Sequence, residues 1–394
     1  MSEKINHRIQ SIDLLRGVVM IIMALDHVRD YFNLGYLNAD PTDMDTTTPF
    51  LFFTRWITHY CAPIFVFLSG TSAFLYGSKK TKKQTAKFLF TRGLWLIFIE
   101  LTVVNFGWTF DIGLGVHILQ VIWAIGLCMV FLSALIFIPV KYLLGIGILL
   151  VAGHNLLDGI TMQGTDPLSI LWYVLHQQNF LVVGNQTMIA FIYPIIPWLG
   201  LMILGYCLGT FYKKDFNADI RKKWLLRLGI SSIVLFIILR SINIYGDLTP
   251  WTEQKNSVYT FLSFLDVTKY PPSLLYILMT IGPALLLLYF FEKIENKLTQ
   301  ILVVIGRVPF YYYILHIYLI HVLSIIGLLI LGENWRAIIY TPTRFSSSYL
   351  NDKGFDLWVT YTVWLLVVTI LYPLCKKYQA YKANNPDKWW LSYL

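Results

Sequence analysis

The sequence predicts an all-α integral membrane protein, a polytopic bundle of about ten transmembrane helices with both termini cytoplasmic. Three observations lead there. Of 394 residues, 57% are hydrophobic and 13% charged, and mean hydropathy is +0.61. That is more apolar surface than a soluble domain can cover. Several apolar runs exceed about 18 residues, enough for a helix to cross a bilayer. The basic residues fall almost entirely in alternate connections between those runs, which sets the orientation.

In chain order the spans are 12–32, 50–76, 89–109, 116–138, 141–157, 188–212, 224–244, 272–291, 301–331 and 356–375. The ninth is too long for one straight crossing, so it is either broken near Gly306 and Pro309 or strongly tilted. Lys79, Lys80, Lys82, Lys83, Lys213, Lys214, Lys222, Lys223, Lys376 and Lys377 share one side with the termini. The opposite connections hold only Lys255, Lys269, Arg336, Arg344 and Lys353. The run SKKTKKQTAK is read first as a cytoplasmic loop, and second as a patch for lipid headgroups or a nucleotide. Of the outer connections, 158–187 contains LSILWYVLH, read as a short interfacial or re-entrant helix. The net charge of +9 does not indicate nucleic acid, because the cations are spread between spans. The first apolar segment ends in Asp26, His27, Arg29 and Asp30 without a small-residue cleavage pattern, so it is expected to remain as a span. The four cysteines, Cys61, Cys128, Cys207 and Cys375, form no CxxC pair and are expected as small buried residues.

Polar chemistry concentrates in the first span. Arg16, Met20, Met23 and His27 share one helical face, with Arg16 and His27 roughly 16 Å apart along the axis. An ionisable side chain inside a span is a functional candidate by default. Seven of the eight histidines, all but His7, fall in or near the outer half of the membrane, together with Asp26, Asp30, Asp111 and Asp158. Imidazole is suited to moving protons near neutral pH. Asp30, at i+3 from His27, is the local candidate to orient it; Asp26 points about 100° away and is expected to meet another span. His59 and His117 are further site candidates. His316 and His321, five apart, are read as packing or hydrogen-bonding residues. No HxxxH or HExxH spacing is present, so no metal is expected. Near the inner boundary, Arg16, Arg92 and Arg307, with Asp13 beside them, are either interfacial anchors or a phosphate clamp. No GxxxxGK[ST] or strand-associated GxGxxG points to a nucleotide fold.

RIQSIDLLRGVVMIIMALDH, with an arginine, ten residues and then a histidine, resembles the first-span motif of the transmembrane acyltransferase superfamily. HYCAPIFVFLSGTS, VHILQVIWAIGL, YPIIPWLGLMILGYCLG and GRVPFYYYILHIYLIH follow in an order that resembles bacterial members of the heparan-α-glucosaminide N-acetyltransferase catalytic-domain family. The resemblance covers essentially all of residues 1–394 as one domain. It implies transfer of an acyl group, typically acetyl from cytoplasmic acetyl-CoA, to a hydroxyl or amine of a sugar on the outer face. It further implies a multi-pass protein of the bacterial cytoplasmic membrane, with acyl-CoA, a glycan acceptor and membrane lipid as partners, and it allows a homodimer. Arg16, Arg92, Arg307 and Asp13 would lie at the nucleotide end. His27 would act as base, with Asp30 or Asp26 orienting it and His59 and His117 nearby. In the family's lysosomal member an asparagine stands at the position of His27, and the proposed catalytic histidine falls at Asn38 here. The rival readings are a small-solute transporter or channel, which lacks the expected inverted repeat here, and a catalytically silent scaffold of the same fold.

Overall fold

The computed structural model describes residues 9–184, 187–345 and 347–392. His7, Lys4 and Arg8 lie outside them. Sixteen helices follow in order among the described residues: α1 Gln10–Phe32, α2 Pro49–Thr58, α3 Cys61–Gly77, α4 Lys82–Ile99, α5 Asn105–Thr109, α6 Val121–Leu135, α7 Val140–Gly153 and α8 Pro167–Leu175. Then come α9 Ile195–Leu208, α10 Ala218–Ile242, α11 Ser257–Leu265, α12 Leu274–Phe291, α13 Lys297–Gly306, α14 Pro309–Ile330, α15 Pro342–Phe345 and α16 Leu357–Asn384.

Local chemistry starts these helices where they start. Thr48 caps α2 ahead of Pro49, whose missing N–H is no loss in the first turn. Thr81 and Gln84 form a reciprocal capping box on α4. Asp166, Asn217 and Ser273 cap α8, α10 and α12 through their side-chain oxygens.

Eight segments are long and apolar enough to cross a membrane: Pro49–Gly77, Lys82–Thr109, Val140–Leu157, Ile195–Tyr212, Ala218–Ile242, Leu274–Phe291, Pro309–Ile330 and Leu357–Asn384. The protein is therefore a multi-pass integral membrane protein. The expected count of ten is not matched by this measure. α1 carries Asp13, Arg16, Asp26, Arg29 and Asp30, too many charges, although its 23 residues reach about 35 Å. α6 has only 15 residues. The ninth expected span is broken: α13 stops at Gly306 and α14 restarts at Pro309, where proline offers no N–H to continue the ladder.

The helical membrane architecture is as expected, and a small sheet adds to it. β1 Val116–Leu119, β2 Asn179–Val183 and β3 Thr187–Phe191 form a small sheet in the order β1-β3-β2. β1 runs parallel to β3 and β2 antiparallel to it. The expected spans at 116 and 188 thus begin as strands, because short apolar runs such as VHIL and TMIAF fit either period. LSILWYVLH does fold as the short helix α8.

α1 lies at the centre, packed against α2, α3, α12, α13, α14 and α16. Two backbone-to-backbone crossings hold the helices around it. A Cβ at Gly17 would stand 1.9 Å from the Leu302 carbonyl oxygen, and one at Gly306 1.8 Å from that of Asp13. α3 and α9 repeat the arrangement: a Cβ at Gly70 would meet the Met202 carbonyl at 2.0 Å, and one at Gly205 that of Phe67 at 1.9 Å. Only glycine permits either approach. All four cysteines are buried and unpaired.

Two hubs shape the 243–273 loop. Asp247 accepts from Thr249 N, Thr268 N and Oγ1, and Ser273 Oγ at 2.5–2.9 Å. Arg240, 1% exposed, donates to the carbonyls of Thr249, Ser263, Phe264 and Asp266.

Candidate active site

His27 is half-buried on α1. Its Nδ1 lies 2.6 Å from Nε2 of His316 on α14, and the two rings stack with centroids 4.8 Å apart. His316 is fully buried, and its Nδ1 is 3.1 Å from the Tyr312 carbonyl oxygen. This chain of contacts fixes both tautomers. A carbonyl can only accept, so His316 Nδ1 carries the proton. In a neutral His316, Nε2 is then the acceptor, and His27 Nδ1 must donate to it. The remaining nitrogen of a neutral His27, Nε2, therefore holds a lone pair. That is the arrangement a general base needs.

Trp108 packs edge-on against His27 with centroids 4.7 Å apart, and Tyr313 lies on another side at 6.4 Å. Trp108 reaches this position through a π-helical segment, Glu100–Val104, that separates α4 from α5. Such a segment shifts every later side chain around the axis, and it recurs at functional sites. Tyr31 Oη donates to the Trp108 carbonyl. His321 stacks on Phe110 at 3.8 Å and lies 3.0 Å from the Gly107 carbonyl through Nδ1, a structural role as expected.

The carboxylates expected to orient His27 are engaged elsewhere. Asp26 accepts from Arg29 at 2.7 Å, from Arg55 at 2.7 Å on both oxygens and from Thr58 at 2.9 Å. It does meet another helix, α2. Asp30 accepts from Arg29 at 2.7 Å. His316 takes the place on His27 that a carboxylate was expected to fill. The sequence marks His316 as a packing or hydrogen-bonding residue, but 289 residues separate the pair, so its partner left no local pattern. The available signal was its spacing, four after Tyr312 in PFYYYILH, on the helix that restarts at Pro309.

Three cavities lie along α3. The first, about 580 Å³, is lined by Arg29, Asp30, Asn38, Asp40, Arg55, His59, Gln178, Asp266, Lys269 and Tyr270 among others. Its size suits a small-molecule ligand. His59 sits in the break just before α3, 4% exposed, and its Nδ1 is buried without a hydrogen-bond partner. The second cavity, about 630 Å³, is at the other end of α3, lined by Gly77, Lys79, Lys82, Lys213, Lys214 and Asp215 among others. Seventeen residues of α3 place the two ends about 25 Å apart. Between them is a narrow apolar hollow of about 110 Å³, lined by Met20, Phe65, Arg92, Leu96, Met129 and Tyr313 among others.

Asp13 stands between two of the expected phosphate-binding arginines, 3.5 Å from Arg16 Nη1 and 3.5 Å from Arg307 Nε. Arg16 also donates to the Leu68 carbonyl and to Ser72 Oγ on α3. Arg92 lies beside the Phe88 ring and at the apolar hollow. His117 lies on β1, with no ring contact to His27, and its Nδ1 is buried without a hydrogen-bond partner. The lysine cavity was legible only as a secondary reading of SKKTKKQTAK; Lys213 and Lys214 join it through the fold.

Asp266 gives the first cavity a pH dependence. Burial, then Asp40 and Asp247, push its carboxyl up to about 7, against Arg240 and Arg55. The folded state thus favours the protonated acid. Its contribution to stability is complete below the unfolded value of about 3.9 and is lost as pH rises through about 7. Thermal unfolding in detergent should show stability falling across that window, and Asp266→Asn should flatten the fall.

The protein is thus a polytopic helical membrane protein with a histidine pair on α1 and α14, helices whose neighbouring residues line a polar and an apolar cavity. The chain belongs to the family described as heparan-alpha-glucosaminide N-acetyltransferase, catalytic, whose model matches residues 8–246. Membership places it among membrane acetyltransferases. No individual curated protein matches the sequence. His316 lies beyond the matched residues, although His27 lies within them.

Proposed function

We propose that the chain transfers an acetyl group from acetyl-CoA to a hydroxyl or amine of an acceptor, a sugar by class, across the membrane. The observation that carries this reading is the His27–His316 pair, which leaves His27 Nε2 as a proton acceptor on the helix whose residues reach both cavities. Asp30 and Arg29 extend from the same helix end into the polar cavity, while Met20 and Tyr313 line the apolar hollow.

In this reading His27 Nε2 takes the proton of the acceptor group as its oxygen or nitrogen bonds to the thioester carbon. The carbon–sulfur bond then breaks, and His27 returns the proton to the departing thiolate. The polar cavity, with charges of both signs, amides and Tyr270, suits a hydroxyl-rich acceptor. Asp30, Asp26 and His59 belong to that side, Asp26 by holding Arg29 and Arg55 in place. His117 is the outlying member of the proposed set. At the opposite end, Lys79, Lys82, Lys213 and Lys214 match the phosphates of CoA, and the hollow at Arg92 matches its uncharged arm. Asp13, Arg16 and Arg307 then act mainly by tying α1, α3 and α13 together. The lysine bias of that end supports a cytoplasmic donor in a bacterial cytoplasmic membrane.

Thermal unfolding in detergent tests the donor. CoA at about 100 times its Kd should stabilise the protein by about 2.7 kcal/mol through mass action. Lys213→Glu with Lys214→Glu should remove most of that shift, and added salt should weaken it. A protein indifferent to CoA would overturn the reading.

A further inference from the structure

Outside the proposed active site, three side chains converge where α7, α8 and α12 approach one another. His154 follows the end of α7, Asp158 comes one helical turn later, and His176 follows α8. Their donor atoms all lie within 4.8 Å of one another. His154 Nδ1 is 3.3 Å from His176 Nε2, and Nε2 is 3.6 Å from Asp158 Oδ1. Ligands on a tetrahedral zinc, at bonds of about 2.0–2.2 Å, stand about 3.3–3.5 Å apart. Both histidines are buried, at 2% and 3% exposure.

The surroundings hold these groups as supporting residues hold metal ligands. Asn155 Nδ2 donates to Asp158 Oδ2 at 2.8 Å, leaving Oδ1 toward the histidines. Asn155 Oδ1 accepts from Leu274 N at 3.0 Å, at the first residue of α12. Trp172 stacks on the His176 ring with centroids 5.3 Å apart. His154 Nε2 is buried, and the Pro272 backbone, which can only accept, stands by that ring, which leaves His154 Nδ1 turned to the group. The His154 carbonyl oxygen, 2.9 Å from His176 Nε2, is a fourth candidate ligand atom beside the group.

We propose that His154, Asp158 and His176 form a structural zinc site. Two imidazoles and one carboxylate favour zinc over calcium or magnesium, which prefer all-oxygen shells. On binding, His176 carries its ring proton on Nδ1, so that Nε2 faces the ion instead of the His154 carbonyl. The ion fastens the 158–176 segment to the ends of α7 and α12. Gln178, two residues on, lines the polar cavity, so the site steadies one wall of it. This inference is independent of which group the protein transfers.

Full-length protein purified without a histidine tag should bind about one zinc per chain by elemental mass spectrometry after exposure to zinc and removal of excess. Zinc should raise its Tm by several degrees, a chelator should reverse this, and magnesium should not substitute. Cobalt in place of zinc should give the intense visible bands of a tetrahedral site. His176→Gln and Asp158→Asn should each lose the metal and the zinc-dependent shift while unfolding near the Tm of chelated wild type. Wild type with no zinc-dependent change in Tm would overturn the proposal even if neither variant folded. Equal zinc content in wild type and His176→Gln would also overturn it.

Discussion

His27→Ala is expected to lower acetyl transfer by about 10²–10⁴-fold, the usual contribution of a positioned acid–base group, while CoA-dependent thermal stabilisation persists. The split follows from geometry: the lysine cavity is at the far end of α3 and shares no lining residue with His27. His316→Ala should have a smaller effect, about five- to tenfold, since it removes one hydrogen bond of about 1 kcal/mol. The imidazole base survives, but its tautomer is no longer imposed. His316→Gln should recover most of the loss, because its amide oxygen can accept from His27 Nδ1. Purely structural damage would not be rescued by glutamine and would lower Tm with activity. Normal transfer by the His27 variant would remove His27 from the mechanism.

Arg240→Met is expected to lower stability by several kcal/mol, since hydrogen bonds from a charged donor are worth about 1.5–3 kcal/mol each. Four carbonyls lose their donor together, and each buried acceptor left alone costs about 1–3 kcal/mol, not additively. Methionine keeps much of the volume, so the change isolates the hydrogen bonds. The damage should be local first, with protease cutting within 243–273 before the helices unfold. Arg240→Lys should fall between, because an ammonium has three donors and no planar fork. Acceptor affinity should drop with the loop, since Thr249, Asp266, Thr268 and Tyr270 line the polar cavity.

Most of the membrane architecture was legible in the sequence because bilayer crossing is a matter of length and apolarity. The break at Gly306–Pro309 was legible because proline cannot continue a helical ladder. The sheet was not, since four or five apolar residues satisfy both periods, and α1 shows how charges pack into a long central helix that a hydropathy window excludes. At the candidate site, His27 stood out because it closes a long apolar run and has Asp26, Arg29 and Asp30 around it. Its partner was hidden, because pairing across 289 residues leaves no local pattern. Asp30 was chosen by spacing alone, and Arg29, adjacent to it, competes more strongly for its carboxylate. The His154, Asp158 and His176 group leaves no compact motif in the sequence, because its two histidines are 22 residues apart and meet only through the fold.

The glycine crossings bear on how anything could pass through this bundle. Where carbonyl oxygens of one helix rest against the bare backbone of another, no intervening side chain can change rotamer to let the two slide. α1 is thereby seated on α13, and α3 on α9, and α1 and α3 both border the apolar hollow. A pump that works by rocking its halves would have to shear both seams at once. Helices seated this way suit a stationary frame whose walls keep their shape while a flexible substrate comes and goes.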